Sequence, residues 1–255
     1  MITGVNGARL AATVLLVRDT PLGLEVYVQE RVSEMPTFPN TTVFPGGGVD
    51  ERDLGDSAGI DTARWSKQLG MPPEIAHGIV MAAVREVFEE TGVLLARDRE
   101  GLMVECTRAF DQERQALESK ALSFSEFLKR HEFTLAPELL RPFARWVGPE
   151  GAEVQFDAFS FVAQLPPGQS CQGDTREASS TGWFAPSVLL GGWRTGLLRL
   201  VVPTWAQLKV LSMYSSVAEL NNLLQDPDMT PIIGDPRDNP WFNEYFSHID
   251  HPERF

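Results

Sequence analysis

Apolar and β-branched residues gather in short runs near the start of the chain. Residues 11–18 (AATVLLVR) and 24–31 (LEVYVQER) predict two strands, separated by a turn at Asp19-Thr20-Pro21-Leu22-Gly23. A third short strand is expected at 41–44, running into Pro45-Gly46-Gly47-Gly48. Residues 52–70 are polar, with a short helical stretch at 62–69. Pro72-Pro73-Glu74 then opens a longer helix, because proline fits a helix's first turn, and Gly92 closes it. The pattern is helical again over 113–130. A long strand is expected at 154–165 (VQFDAFSFVAQL) and a short one at 182–185. Residues 203–224 read as the longest amphipathic helix. Beyond Asp226 come five prolines and little periodicity, which predicts a tail lying along the surface. Mixed elements with hairpin neighbours point to an α+β fold, a mixed sheet between helices, formed by residues 1–255 as one domain without a second core.

The chemically informative stretch is Ala83-Val84-Arg85-Glu86-Val87-Phe88-Glu89-Glu90-Thr91-Gly92-Val93. At about 100° per residue, Glu89 and Glu90 fall about −60° and +40° from Glu86, while Val80, Val84, Val87 and Phe88 fall on the opposite side. Three carboxylates in one arc repel each other unless a cation lies among them. An all-oxygen donor set of this kind suits Mg²⁺ or Mn²⁺ bound together with substrate phosphates. Arg85, next to Glu86 and four residues before Glu89, can orient a carboxylate through its forked donors. The residues alone leave a second reading open, a solvated acidic helix face with an ordinary salt bridge.

Charge and cysteines narrow the class. The 255 residues hold 35 acidic and 22 basic side chains, a formal net charge of −13. Such a field argues against bulk binding to nucleic-acid polymers or anionic membrane, but not against a small anion that arrives with cations. Cys106 and Cys171 are too far apart for a metal or redox motif and are expected as buried free thiols of a reducing compartment. No apolar run has the length of a membrane span, and no secretory pattern opens the chain, so the cytoplasm is expected.

Together, Gly46-Gly47-Gly48 and the acidic helix resemble the Nudix hydrolase signature, G-x5-E-x7-R-E-U-x-E-E-x-G-U. Its second half stands without substitution from Arg85 to Val93, and its first half is similar to Pro45-Gly46-Gly47-Gly48-Val49-Asp50-Glu51-Arg52-Asp53, with Asp53 where the family has glutamate. Between Asp53 and Arg85 lie 31 residues where the family has 7, an insertion of 24. Counted back from Arg85, the glutamate position holds His77, so its replacement is open between Asp53 and His77. A box split at this place resembles the subgroup that includes the peroxisomal acyl-CoA diphosphatase. Val28-Gln29-Glu30-Arg31, Arg141-Pro142-Phe143-Ala144-Arg145-Trp146-Val147 and Pro203-Thr204-Trp205 are similar to that subgroup too. The basic residues expected around Asp157 are missing.

The resemblance implies the Nudix fold over nearly the whole chain, with an insertion within the box at about 54–77, a helical insertion at about 97–140, and a C-terminal helix and tail at 203–255. It implies a metal-dependent hydrolase that cleaves the diphosphate of a nucleoside diphosphate linked to another moiety, coenzyme A or acyl-CoA being the leading candidate. Glu86, Glu89, Glu90 and the Gly47 carbonyl would hold Mg²⁺ or Mn²⁺. Glu86 or Glu177 would act on the attacking water, with Asp174 next in line, and Arg85 would position Glu86. Arg31, Gly46 and Gly47 would contact substrate. Glu177 and Asp174 read equally as exposed loop charges, Arg31 as a strand-end charge, and Trp183, Trp205 and Trp241 as packing residues. Many members dimerise, which leaves a homodimer open. The alternative function is a non-catalytic module of the same fold that binds a nucleotide-like ligand or a protein.

Overall fold

The computed structural model of the chain describes residues 2–33, 37–55, 59–152, 154–173 and 178–250. Strands β1 (Arg9–Thr20) and β2 (Gly23–Arg31) form the expected hairpin, antiparallel from Thr20↔Gly23 to Val17↔Val26. Beyond Val17 they part, and β3 (Thr42–Val43) and β4 (Gly46–Gly48) occupy the fork. β3 pairs with β2 at Gln29↔Val43, and β4 pairs with β1 at Ala12↔Gly47. Gly46 has no room for a side chain there, because a Cβ would lie 2.7 Å from the Thr13 Cα and closer still to the Ala12 carbonyl.

The two-residue strands β5 (Ala96–Arg97) and β6 (Thr134–Leu135) pair with each other, apart from the main sheet. β7 (Leu140–Val147) runs antiparallel to β8 (Phe156–Gln164), which lies parallel to β1; β9 (Ala178–Phe184) lies antiparallel on the far edge of β2. The sheet is therefore mixed, as expected. Strand β7 was not visible in the hydropathy pattern.

Helices cover both faces. On one side lie α1 (Thr62–Leu69), α2 (Pro73–Thr91), α3 (Asp111–Glu118) and α4 (Phe124–His131), which pack with Leu10, Val14, Leu16, Phe159 and Phe161 of the sheet. On the other lie α5 (Pro186–Arg194), α6 (Val202–Leu211), α7 (Val217–Leu223) and α8 (Asn243–Ile249), against Leu15, Val17, Val26, Val28 and Val162. Alternation along β1 and β2 thus feeds two apolar layers through one sheet. The insertion within the box belongs to the first layer: Trp65 and Leu69 of α1 are buried, and residues 73–77 are the first turns of α2. Helix α2 ends where expected, with Gly92 in the left-handed region (φ 71°) and its N–H on the Phe88 carbonyl at 2.9 Å.

Several expectations are corrected. The helical pattern at 113–130 is two helices, because Lys120 turns left-handed and Ser123 caps a new start in a reciprocal pair with Glu126. The stretch 203–224 is likewise two helices, restarted by Ser216, whose hydroxyl accepts from the Glu219 N–H at 3.2 Å. Helix α6 is not amphipathic, since Trp205, Ala206, Gln207, Leu208 and Leu211 are all buried; α2 is the longest helix. The tail is not merely a surface strap. Phe242 and Tyr245 are buried in the second layer, Trp241 lies edge-on to Trp205 at 5.3 Å, and the Tyr245 hydroxyl donates to the Leu200 carbonyl at 2.8 Å. Both cysteines are free, but Cys106 is exposed and Cys171 half-buried. Among the described residues no helix is long and apolar enough to cross a membrane.

Candidate active site

The C-terminal half of α2 lies across the fork between β1 and β2. Its acidic stripe is not a solvated face: Glu86 and Glu90 are 9% and 6% exposed. Arg85 gathers the site. Its Nε and Nη2 donate to the two oxygens of Asp53 at 2.9 and 3.0 Å, a forked pair. Nη1 donates to Glu86 at 2.7 Å and Glu89 at 3.3 Å, and Nη2 also to the Gly48 carbonyl at 2.9 Å. Burial works against the Arg85 charge, but Glu86, then Asp53 and Glu89, overcome it and hold the guanidinium protonated far beyond its ordinary range. The Glu89 carboxyl is pushed up to about 7, first by burial and then by the charge of Glu86, with Arg85 opposing.

Asp53 and His77, the two candidates for the first box glutamate, meet here in different roles. Asp53 is 2% exposed and carries the carboxylate that faces Arg85; its Oδ2 also accepts the Asp50 N–H at 2.8 Å. His77 is buried in α2 with Nδ1 3.0 Å from the Asp53 carbonyl oxygen, so it packs on the backbone of the residue that holds Arg85. The insertion leaves Asp53 and Arg85 joined although 31 residues separate them.

The glycine turn touches the helix directly. A Cβ on Gly47 would lie 2.5 Å from Glu86 Oε1, so the carboxylate sits against bare backbone. The Gly46 N–H donates to Glu90 Oε2 at 2.9 Å, and the same oxygen accepts Gln29 Nε2 at 2.7 Å. The Gly46 amide is thereby committed to Glu90. Gln29 escaped the reading of the sequence as a site residue. The available signal was the alternation in β2, where Tyr27, Gln29 and Arg31 share the side opposite Val26 and Val28, which is the side facing α2.

Three carboxylates and a backbone turn with no intervening side chain form an oxygen-donor set that suits a hard divalent cation. The Glu89 carboxyl, raised first by burial and then by the charge of Glu86, fits the same chemistry. Among the described residues, however, no three such groups converge into a formed metal centre. Glu86 and Glu89 are held by Arg85, and Glu90 by Gln29 and Gly46.

Arg31 donates from Nε to the Thr37 carbonyl at 3.1 Å. Glu177 and Asp174 lie outside the described residues. The tryptophans pack: Trp205 is fully buried, and Trp183 lies edge-on to Tyr27 at 5.4 Å with the Arg18 guanidinium over it at 4.4 Å.

No family model matches the chain. The acyl-coenzyme A diphosphatase NUDT19 of Xenopus laevis is 25% identical over 244 residues, covering 78% of this chain and 63% of that protein. The chain thus spans less than two thirds of that relative's length. Among solved structures, a Nudix hydrolase from Alicyclobacillus acidocaldarius matches at a TM-score of 0.73 with 26% identity, over 88% of this chain and 100% of that one. The chain thus has the fold of a Nudix hydrolase, and its sequence resembles an acyl-coenzyme A diphosphatase.

Proposed function

We propose that the chain is a metal-dependent pyrophosphohydrolase that cleaves the diphosphate of a nucleoside diphosphate joined to another moiety, with coenzyme A or acyl-CoA as the leading substrate. The observation that carries this reading is the Arg85-centred cluster, in which Glu86, Glu89 and Asp53 share one buried guanidinium beside a glycine turn. The likeness to an acyl-coenzyme A diphosphatase supports the substrate class.

Glu86, Glu89, Glu90 and the Gly47 carbonyl would hold Mg²⁺ or Mn²⁺. The cation, when bound, neutralises the diphosphate and lowers the pKa of a coordinated water. The protein's own part is positioning, as befits phosphoryl transfer. Arg85 orients Glu86 and Glu89, Asp53 locks Arg85, and the bare Gly47 backbone leaves room for the Glu86 carboxylate. Glu86, with Glu177, is the candidate to take the proton of the attacking water. Arg31, on the same side of β2 as Gln29, is the candidate contact for a substrate phosphate.

The test is a panel of coenzyme A, acyl-CoA, ADP-ribose and dinucleotide substrates with Mn²⁺ or Mg²⁺, read by product chromatography and kcat/KM. Hydrolysis that is lost with chelator and cut at least about 100-fold in Glu89→Gln and Glu90→Gln is expected. No product from any substrate with either metal refutes the reading and leaves the fold as a binding module.

A further inference from the structure

Gln29 stands apart among the residues around the acidic helix. It is 2% exposed, in the middle of β2, on the side that faces α2. A carboxylate only accepts, so the bond to Glu90 Oε2 fixes the amide with its NH₂ toward Glu90. Gln29 Oε1 is then left buried with no hydrogen-bond partner among the described residues. A buried orphan acceptor is a cost that an apolar side chain at 29 would avoid, as Val26 and Val28 do on the opposite side of the strand. Residue 29 is therefore explained by its donor side, or by a donor that joins Oε1 when the site is loaded.

Among the described residues, Glu86 and Glu89 accept from a guanidinium, whereas Glu90 Oε2 accepts from a side-chain amide and a backbone N–H, both neutral. A neutral clamp fixes the rotation of a carboxylate without placing a fixed positive charge where a cation would bind. We propose that Gln29 is a positioning residue that, with the Gly46 N–H, sets the Glu90 carboxylate for the divalent cation. The inference rests on Glu90 being a metal ligand, as proposed above.

The test uses the full chain and Mn²⁺ as probe, with binding read by electron paramagnetic resonance and folding by thermal unfolding without metal. Gln29→Met and Gln29→Leu keep bulk and remove the donor; Glu90→Gln serves as reference. The Mn²⁺ Kd is expected to rise about 10-fold in both Gln29 variants, with the metal-free unfolding temperature unchanged or higher. Excess Mn²⁺ should then restore most of kcat. A Kd within about twofold of the parent in both variants, with Glu90→Gln weakened, overturns the role of Gln29 and leaves that of Glu90 intact. A lowered metal-free unfolding temperature with unchanged Kd assigns Gln29 to the fold alone and overturns the proposal, as does failure of both variants to fold. Glu90→Gln with unchanged Mn²⁺ binding overturns the metal reading of Glu90, and this proposal with it.

Discussion

Replacing Asp53 by asparagine changes one charge and almost no volume, so it isolates the pair that bridges the insertion. The carboxylate accepts three bonds: Arg85 Nε at 2.9 Å on Oδ1, and Arg85 Nη2 at 3.0 Å with the Asp50 N–H at 2.8 Å on Oδ2. Asparagine can keep its oxygen at the Oδ2 position and both bonds there. Its NH₂ then faces the Arg85 Nε–H, donor against donor. One charge-assisted bond is lost, about 1.5–3 kcal/mol, and the guanidinium loses a partner in a setting where breaking a buried pair costs about 3–5 kcal/mol. The side chains of Arg85 and Asp53 are only 11% and 2% exposed, so the near-zero value of a surface pair does not apply. Because Glu86 and Glu89 still balance Arg85, the expected loss is about 2–4 kcal/mol. Urea unfolding followed by tryptophan fluorescence measures it, and Arg85→Gln with the double variant completes a cycle whose coupling should reach about 1–3 kcal/mol. A loss below about 0.5 kcal/mol, or additive single variants, would show that the insertion does not depend on this pair and refute the argument.

Three further outcomes are expected. Gly47→Ala drives a methyl into the Glu86 carboxylate and should lower kcat/KM about 100-fold while circular dichroism stays that of the parent; full activity would mean Glu86 can shift without loss. Trp65→Ala should cost about 3–5 kcal/mol in urea unfolding, because Trp65 of the inserted helix is buried against Phe161 of the sheet at a ring distance of 6.0 Å; a cost under 1 kcal/mol (about the scale of a surface change) would make α1 an appendage. Burial pushes the Cys171 thiol up to about 12, so at pH 8 it stays protonated and unreactive. Exposed Cys106 alone should then react with a disulfide reagent in the native state, and both thiols in urea; two fast thiols in the native protein would contradict the packing around Cys171.

What could be read from the sequence was whatever a short window contains. The spacing of Glu86, Glu89 and Glu90 opposite Val80, Val84, Val87 and Phe88 fixes a helix and its two sides, and Pro73 and Gly92 mark its ends through backbone geometry. Local caps overruled periodicity elsewhere: Ser123 and Ser216 each satisfy the N–H of a new first turn, which is why two apparent long helices are four short ones. The joining of Asp53 to Arg85 was not legible, because it depends on how an inserted helix packs. Gln29 was hidden for a related reason. A strand side reading Glu25, Tyr27, Gln29, Arg31 looks solvent-facing until a helix is known to cover part of it.

Burial is the step that turns the pattern into a site. On a solvated helix, three carboxylates and an arginine amount to a few tenths of a kcal/mol of screened interaction per pair. Under the fork between β1 and β2, Asp53, Glu86 and Glu89 share the Arg85 guanidinium, so among the described residues of this cluster the negative groups outnumber the positive one. Burial, and then the charge of Glu86, push the Glu89 carboxyl up toward neutrality, which relieves part of that excess. A divalent cation offers another relief, one that keeps every carboxylate ionised and cuts the negative excess that would repel a diphosphate. The overall −13 of the chain repels polyanions at long range. The same kind of charge, folded into a largely buried site, makes a short-range demand for cations, and cations are what a diphosphate ligand carries with it.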